Sequence, residues 1–237
     1  MSALAGDSRQ QAFEFFALEA EASVPGATAG DSPPLDLAGL AARAAECARC
    51  GLRSGCRGVV FGEGPADARL MLVGEGPGAA EDELGRPFVG PAGQLLDRIL
   101  AAAGLPRERV YITNVVKCRP PQNRLPTPVE VEACRPWLLQ QIGLVRPVVL
   151  VCLGALACQA LLDPGARITR IRGLWQERDG MLVMPTYHPA AVLRDPNKKR
   201  PVWEDFKKVR AAYLELVEGV DPESLDPGSS LPPEAPP

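Results

Sequence analysis

Histidine is nearly absent from this 237-residue sequence, and its one copy, His188, must carry any imidazole chemistry. No run reaches the ~18 consecutive apolar residues of a helical membrane span, so a spanning segment is excluded. The N-terminus lacks a basic segment followed by an apolar one, so no secretory signal and a cytoplasmic location are expected. No internal repeat is found. The net charge of −3 shows no excess of base and at first argues against a polyanionic partner.

That charge is unevenly spread. Residues 1–39 hold six acids against one base, and residues 211–237 hold six acids and no base. The body between them therefore carries +8 of a chain whose total is −3, which suits a nucleic-acid partner. Seven cysteines in a chain expected to be cytosolic point to metal or redox chemistry before disulfides. Cys152 and Cys158 lie in an apolar stretch and read as core residues.

Proline, glycine and charge divide the chain. Residues 1–38 read as an appended arm and linker, 39–219 as the folded domain, and 220–237 as a disordered Pro-rich acidic tail. Strands are expected at 70–73, 110–113, 148–153 and 181–184, and helices at 36–48, 92–103, 128–144, 154–162 and 201–217. Strands separated by helix-length segments predict an α/β fold, a three-layer α/β/α sandwich around a mostly parallel four-stranded sheet. Sites in such folds collect at the carboxyl ends of the strands. Each expected strand is followed there by polar or glycine residues: Gly74-Glu75, Asn114, Gly154 and Tyr187-His188-Pro189.

The stretch 70–96, LMLVGEGPGAAEDELGRPFVGPAGQLL, is the richest. Its loop is far longer than the ~2–6 residues of an ordinary strand-to-helix crossover, and carries Glu75, Glu81, Asp82 and Phe88 among its glycines. Cys47 and Cys50 form a Cys-x2-Cys pair, and Cys118 and Cys134 supply a second pair. Four thiolates suit either zinc or an iron–sulfur cluster, and spacing leaves both open. Asn114 offers a donor and an acceptor to an amide-like ring edge, or else caps a turn. Beyond His188, apolar Val192 and Leu193 followed by Arg194 suggest a wedge beside a phosphate contact. The bases Lys198, Lys199 and Arg200 continue that surface, or form a solvated charge run.

Taken together, GEGPGAAEDELGRPFVGPAGQLL, TNVVKCRPPQNR and YHPAAVLR, with the four cysteines, resemble family 4 uracil-DNA glycosylases. The resemblance runs from about residue 45 to 217. It implies a DNA repair enzyme that flips uracil from single- or double-stranded DNA and hydrolyses its glycosidic bond, acting as a monomer and away from membranes. It also implies a [4Fe-4S] cluster on Cys47, Cys50, Cys118 and Cys134, with Cys56 outside the ligand set. By the same likeness, Phe88 stacks on the uracil, Asn114 pairs with its polar edge, and Glu75 and Gly76 line the pocket. His188 donates to O2, Glu81 positions water and Asn123 assists.

One departure is Ala79-Ala80, where relatives often carry acids. The rival family X branch, which bonds covalently to DNA, carries a histidine-bearing insertion after the RPP run that is missing here. Family 5 differs at the position of Glu75. Rivals of other classes are an electron-transfer or cluster-sensing protein and a non-catalytic, metal-stabilised DNA-binding module.

Overall fold

A computed structural model describes residues 36–220; the arm expected over 1–38 and the tail over 220–237 lie almost wholly outside them. Five strands form one sheet: β1 (Leu70–Gly74), β2 (Val110–Asn114), β3 (Val149–Leu153), β4 (Gln176–Arg178) and β5 (Met181–Thr186). Their order is β2-β1-β3-β5-β4. All neighbours are parallel except β4, which runs antiparallel to β5. The sheet thus has one strand more than expected. The addition is the short, polar Gln176–Arg178, which has no apolar alternation to announce it.

The helices are α1 (Leu37–Ala45), α2 (Ala79–Leu84), α3 (Pro91–Ala102), α4 (Pro128–Val145), α5 (Ala155–Leu161), α6 (Ile168–Ile171), α7 (Pro189–Arg194) and α8 (Lys199–Tyr213). Their placement follows from strand alternation, because successive side chains leave a strand on opposite faces. Met71, Val73, Leu150 and Cys152 point into one core with Leu40 of α1, Leu138 and Ile142 of α4, and Cys158 of α5. Leu70, Leu72, Val149 and Val151 point into the other, against Leu96 and Leu100 of α3 and Phe206 and Val209 of α8. Strands buried on both faces are the reason their sequences read as unbroken apolar runs. The three-layer sandwich stands.

Helix ends obey local chemistry. Asp36 accepts the Gly39 N–H at 2.7 Å and caps α1. Thr127 and Glu130 close a reciprocal capping box on α4, which Pro128 opens. The short helices α2, α6 and α7 span six, four and six residues, too few for a helical period to be read. No helix among the described residues is long and apolar enough to cross a membrane.

One polar cluster fastens α8 to the sheet. The fully buried Asp205 accepts from Arg172, through two nitrogens, and from Thr186 Oγ1 at 2.6 Å. Removing one partner of a buried pair strands the other, at a cost of about 3–5 kcal/mol. Asp205→Ala is therefore expected to lower unfolding free energy by about 3 kcal/mol or more in a denaturant titration.

Candidate active site

The carboxyl ends of β1, β2 and β5 open onto a cavity of about 310 Å³. Its walls include Glu75, Gly76, Glu81, Phe88, Asn114, Asn123, His188 and Arg194. Residues up to 119 positions apart in the chain are brought together by the parallel strand ends.

The floor is a close approach around Gly74, the last residue of β1. A side chain there would meet Asn114 Oδ1 at 2.4 Å and the Phe88 ring at 2.5 Å. Only glycine lets the ring and the amide sit side by side. Phe88 is itself held at φ +52°, a left-handed conformation rare for an aromatic residue. Its ring is almost fully buried and lies 5.5 Å from the His188 ring, tilted by 30°.

Asn114 is buried, and its Oδ1 has no hydrogen-bond partner. An orphaned buried acceptor is costly unless a ligand supplies the donor, so this atom marks where an N–H should bind. The residue's own backbone is pinned from below. Lys117 Nζ donates to the Asn114 carbonyl and to Thr113 Oγ1, each at 2.7 Å, and to Gln141 Oε1. Burial pulls this lysine down to about 7.

His188 follows β5 and caps α7, accepting the Ala190 N–H at Nδ1 over 3.1 Å. An accepting Nδ1 carries no proton, so the neutral ring keeps its proton on Nε2. Burial holds the imidazole down to about 4; the Arg194 cation pushes the same way and Glu81 opposes it. Gly154, at φ +96°, lies beneath, with room for a Cβ only 3.1 Å from that of His188. Glu75 is shifted the other way, its carboxyl raised by burial against the pull of Arg194.

Glu81 is more constrained than its sequence suggested. Its Oε1 accepts from Val89 N at 2.9 Å and Gly90 N at 2.8 Å, and its Oε2 from Gly78 N at 3.1 Å. The carboxylate therefore shapes the loop while bordering the cavity. A carboxylate has about four acceptor sites, which leaves one on Oε2 for a water. Asn123 also borders the cavity, with its Oδ1 taken by Arg119 Nε at 2.8 Å.

The expected wedge is narrower than its sequence suggested. Val192 is 1 % exposed and packs in the core, so it cannot meet a partner, whereas Leu193 is 47 % exposed. Lys199 and Arg200 are exposed. Lys198 is half-buried, paired with Asp195 at 2.8 Å and set 5.6 Å from the Tyr187 ring.

A second, apolar cavity is lined by Cys47, Cys50, Cys118 and Cys134 with Ala44, Leu52 and Trp137. Among the described residues no set of three or more His, Cys, Asp or Glu side chains stands in metal-coordinating geometry. Two N–H groups are directed at the sulfurs: Trp137 Nε1 to Cys47 and Lys117 N to Cys134, each at 3.3 Å. Burial raises the Cys134 thiol to about 11, with Cys47 and Cys50 adding to the rise. Cys118 is raised further by burial and by neighbouring Cys56, Cys134 and Cys50. Cys56, expected outside the ligand set, stands beside it without lining the cavity.

Lys117 lies within the TNVVKCRPPQNR run, but a lysine beside a cysteine reads as surface charge, so its buried bond to the Asn114 carbonyl was missed. Arg107, in the 3-10 turn Arg107–Arg109, lies outside every such run, yet it donates to the Phe88 carbonyl at 3.2 Å.

Residues 61–207 match the profile of the uracil DNA glycosylase superfamily. A type-4 uracil-DNA glycosylase of Thermotoga maritima is 47% identical over 175 residues, covering 71% of this chain and 90% of the relative. That of Sulfurisphaera tokodaii is 44% identical, covering 69% and 79%. A type-5 uracil-DNA glycosylase of Thermus thermophilus is 41% identical over 118 residues, covering 44% of this chain and 53% of the relative.

Gly74→Ala tests the floor. Its methyl group should displace the Phe88 ring and cost about 1–3 kcal/mol of stability by overpacking, read by denaturation.

Proposed function

The chain belongs to the uracil DNA glycosylase superfamily, among its type-4 members, and on that premise we propose how it excises uracil from DNA. The observation that carries the reading is the unpartnered, buried Asn114 Oδ1 beside the Phe88 ring. Uracil is flat and presents an N3–H donor between two carbonyl oxygens. Its ring would stack on Phe88, its N3–H would satisfy Asn114 Oδ1, and Glu75 and Gly76 would close the wall. A base can enter such a pocket only after leaving the helical stack, at a cost of a few kcal/mol. Leu193 would fill the gap, with Arg194, Lys198, Lys199 and Arg200 toward the phosphates.

Cleavage breaks the bond between C1′ and N1. The electron pair leaves with uracil, and the sugar becomes an oxocarbenium-like cation. Neutral His188 would donate its Nε2–H to O2, where the departing charge gathers, as an oxyanion-hole donor does. Glu81, with the one acceptor site its loop contacts leave free, would hold the water whose oxygen bonds to C1′, and Asn123 would assist. The water gives up a proton to solvent and the uracil anion takes one from solvent, leaving an abasic site and free uracil.

The four thiols of Cys47, Cys50, Cys118 and Cys134 would hold a [4Fe-4S] cluster. The chemistry of the donors supports this: clustered thiols that raise one another's pKa ionise together only around a cationic centre, and N–H donors to sulfur are the usual partners of such ligands. Bound there, the cluster would tie α1 to the start of α4 and to the loop after β2. It is structural in this reading. The enzyme would act as a monomer built from residues 39–219 and turn over freely rather than remain bonded to DNA.

His188→Ala should lose at least ~100-fold in single-turnover uracil excision while DNA affinity changes little, the scale of one oxyanion donor. A near-wild-type rate would remove the residue from the mechanism.

The pH profile is a separate check. The folded value of His188, about 4, lies below its ordinary 6.5, so unfolded chains bind more protons between these values. Its contribution to stability is therefore complete above 6.5 and declines as pH falls toward about 4. Excision should hold level down to about pH 5 before falling as the neutral donor is lost near 4, and an inflection at 6.5 would contradict the assignment.

Cluster binding is tested by iron and sulfide analysis with visible absorbance on protein purified without oxygen. Cys118→Ala and Cys134→Ala should each lose iron and the brown colour together with thermal stability.

A further inference from the structure

We propose that Arg107, which lies outside the base pocket, is a positioning residue for excision, acting through the backbone that carries Phe88. The proposal rests on the stacking role given to Phe88 above.

All five N–H groups of the Arg107 guanidinium are directed at acceptors. Nη2 donates to Pro87 O at 2.7 Å and Nη1 to Phe88 O at 3.2 Å. The remaining donors fasten the guanidinium itself: Nε and Nη2 to Glu63 Oε1 at 3.0 and 2.5 Å, and Nη1 to Asp97 Oδ1 at 2.6 Å. Both anchors are tied to secondary structure. Glu63 is paired through its backbone to Ile112 of β2 in both directions, at 3.0 and 2.8 Å, and Asp97 is within α3. The loop segment around Phe88 is thus fixed to strand and helix by one side chain.

Phe88 needs such a restraint. It sits at φ +52°, and a strained backbone persists only where its surroundings over-determine it. On the far side of the ring-bearing residue, Glu81 holds the N–H groups of Val89 and Gly90. Arg107 takes the carbonyls before that point and Glu81 takes the amides after it. The Arg107 side chain is only 18 % exposed, and its planar fork serves two carbonyls at once, a geometry that the point charge of lysine cannot reproduce.

A double-mutant cycle tests the proposal. Arg107→Lys, Phe88→Ala and the double variant are compared in single-turnover excision from a uracil-containing oligonucleotide, with melting temperatures and DNA affinities alongside. Arg107→Lys alone should slow excision by ~10–100-fold, the scale of an ångström-sized misplacement near the reacting centre. In the Phe88→Ala background it should slow excision by less than ~2-fold, because the two act as one unit. Its loss of melting temperature should persist in both backgrounds.

The same loss of rate with and without Phe88 would overturn the proposal while leaving the stacking role intact. An unimpaired Phe88→Ala enzyme would overturn both. Should Arg107→Lys fail to fold, Asp97→Asn, which frees one anchor of the guanidinium, takes its place in the same cycle with the same two contrary outcomes.

Discussion

The site depends on one close approach. Gly74 ends β1 with no side chain, and into the space a methyl group would fill come the Phe88 ring and Asn114 Oδ1, 2.5 and 2.4 Å from that position. In the proposed reading the ring would supply a flat face to the base and the amide an edge; His188 lies against the same ring. The contact persists because both partners are held from behind. Glu81 and Arg107 grip the backbone around Phe88, and Lys117 grips the carbonyl of Asn114. A site built this way is organised before substrate arrives, so binding energy need not be spent on ordering it.

Electrostatics and packing then divide the labour. The Ala190 N–H selects the tautomer of His188 and burial keeps the ring neutral, so a donor rather than a cation faces the cavity. A neutral donor responds to charge that develops during cleavage and interacts less with a neutral ground state, which is the differential that accelerates a reaction. The thiol cavity bears on the same machinery through one residue. The Lys117 N–H is directed at Cys134, and its Nζ holds Asn114. The thiol cavity and Asn114 are therefore adjacent in space as well as in sequence.

Much of this architecture was legible in the chain. Four apolar runs became the four parallel strands, because strands covered on both faces leave no polar alternation. The polar residues following β1, β2 and β5 came together as their position at strand ends required. Val192 was misread, because a helix turns one of two adjacent apolar residues inward and only the three-dimensional path says which. The antiparallel β4 escaped because its residues are polar and its pairing is made by the turn into β5. Glu81 looked like free chemistry, yet three backbone N–H groups occupy most of it. Arg107 left no trace, since its hydrogen bonds reach carbonyls some twenty residues away and follow no sequence spacing. Lys117 stood in the TNVVKCRPPQNR run, but its burial turns on the path of the backbone rather than on residue type.

In the proposed mechanism Asn114 Oδ1 accepts the N3–H of uracil. Cytosine has an unprotonated N3, which would face this oxygen as a second acceptor and leave both unpaired. The direct measurement compares alkali-labile strand breakage at uracil and at cytosine in otherwise identical oligonucleotides, single-stranded and paired. The account predicts breakage at uracil in excess of cytosine by at least ~10⁴-fold, the discrimination of a site whose buried polar group goes unmatched. Comparable excision of the two bases, or none of uracil, would contradict it.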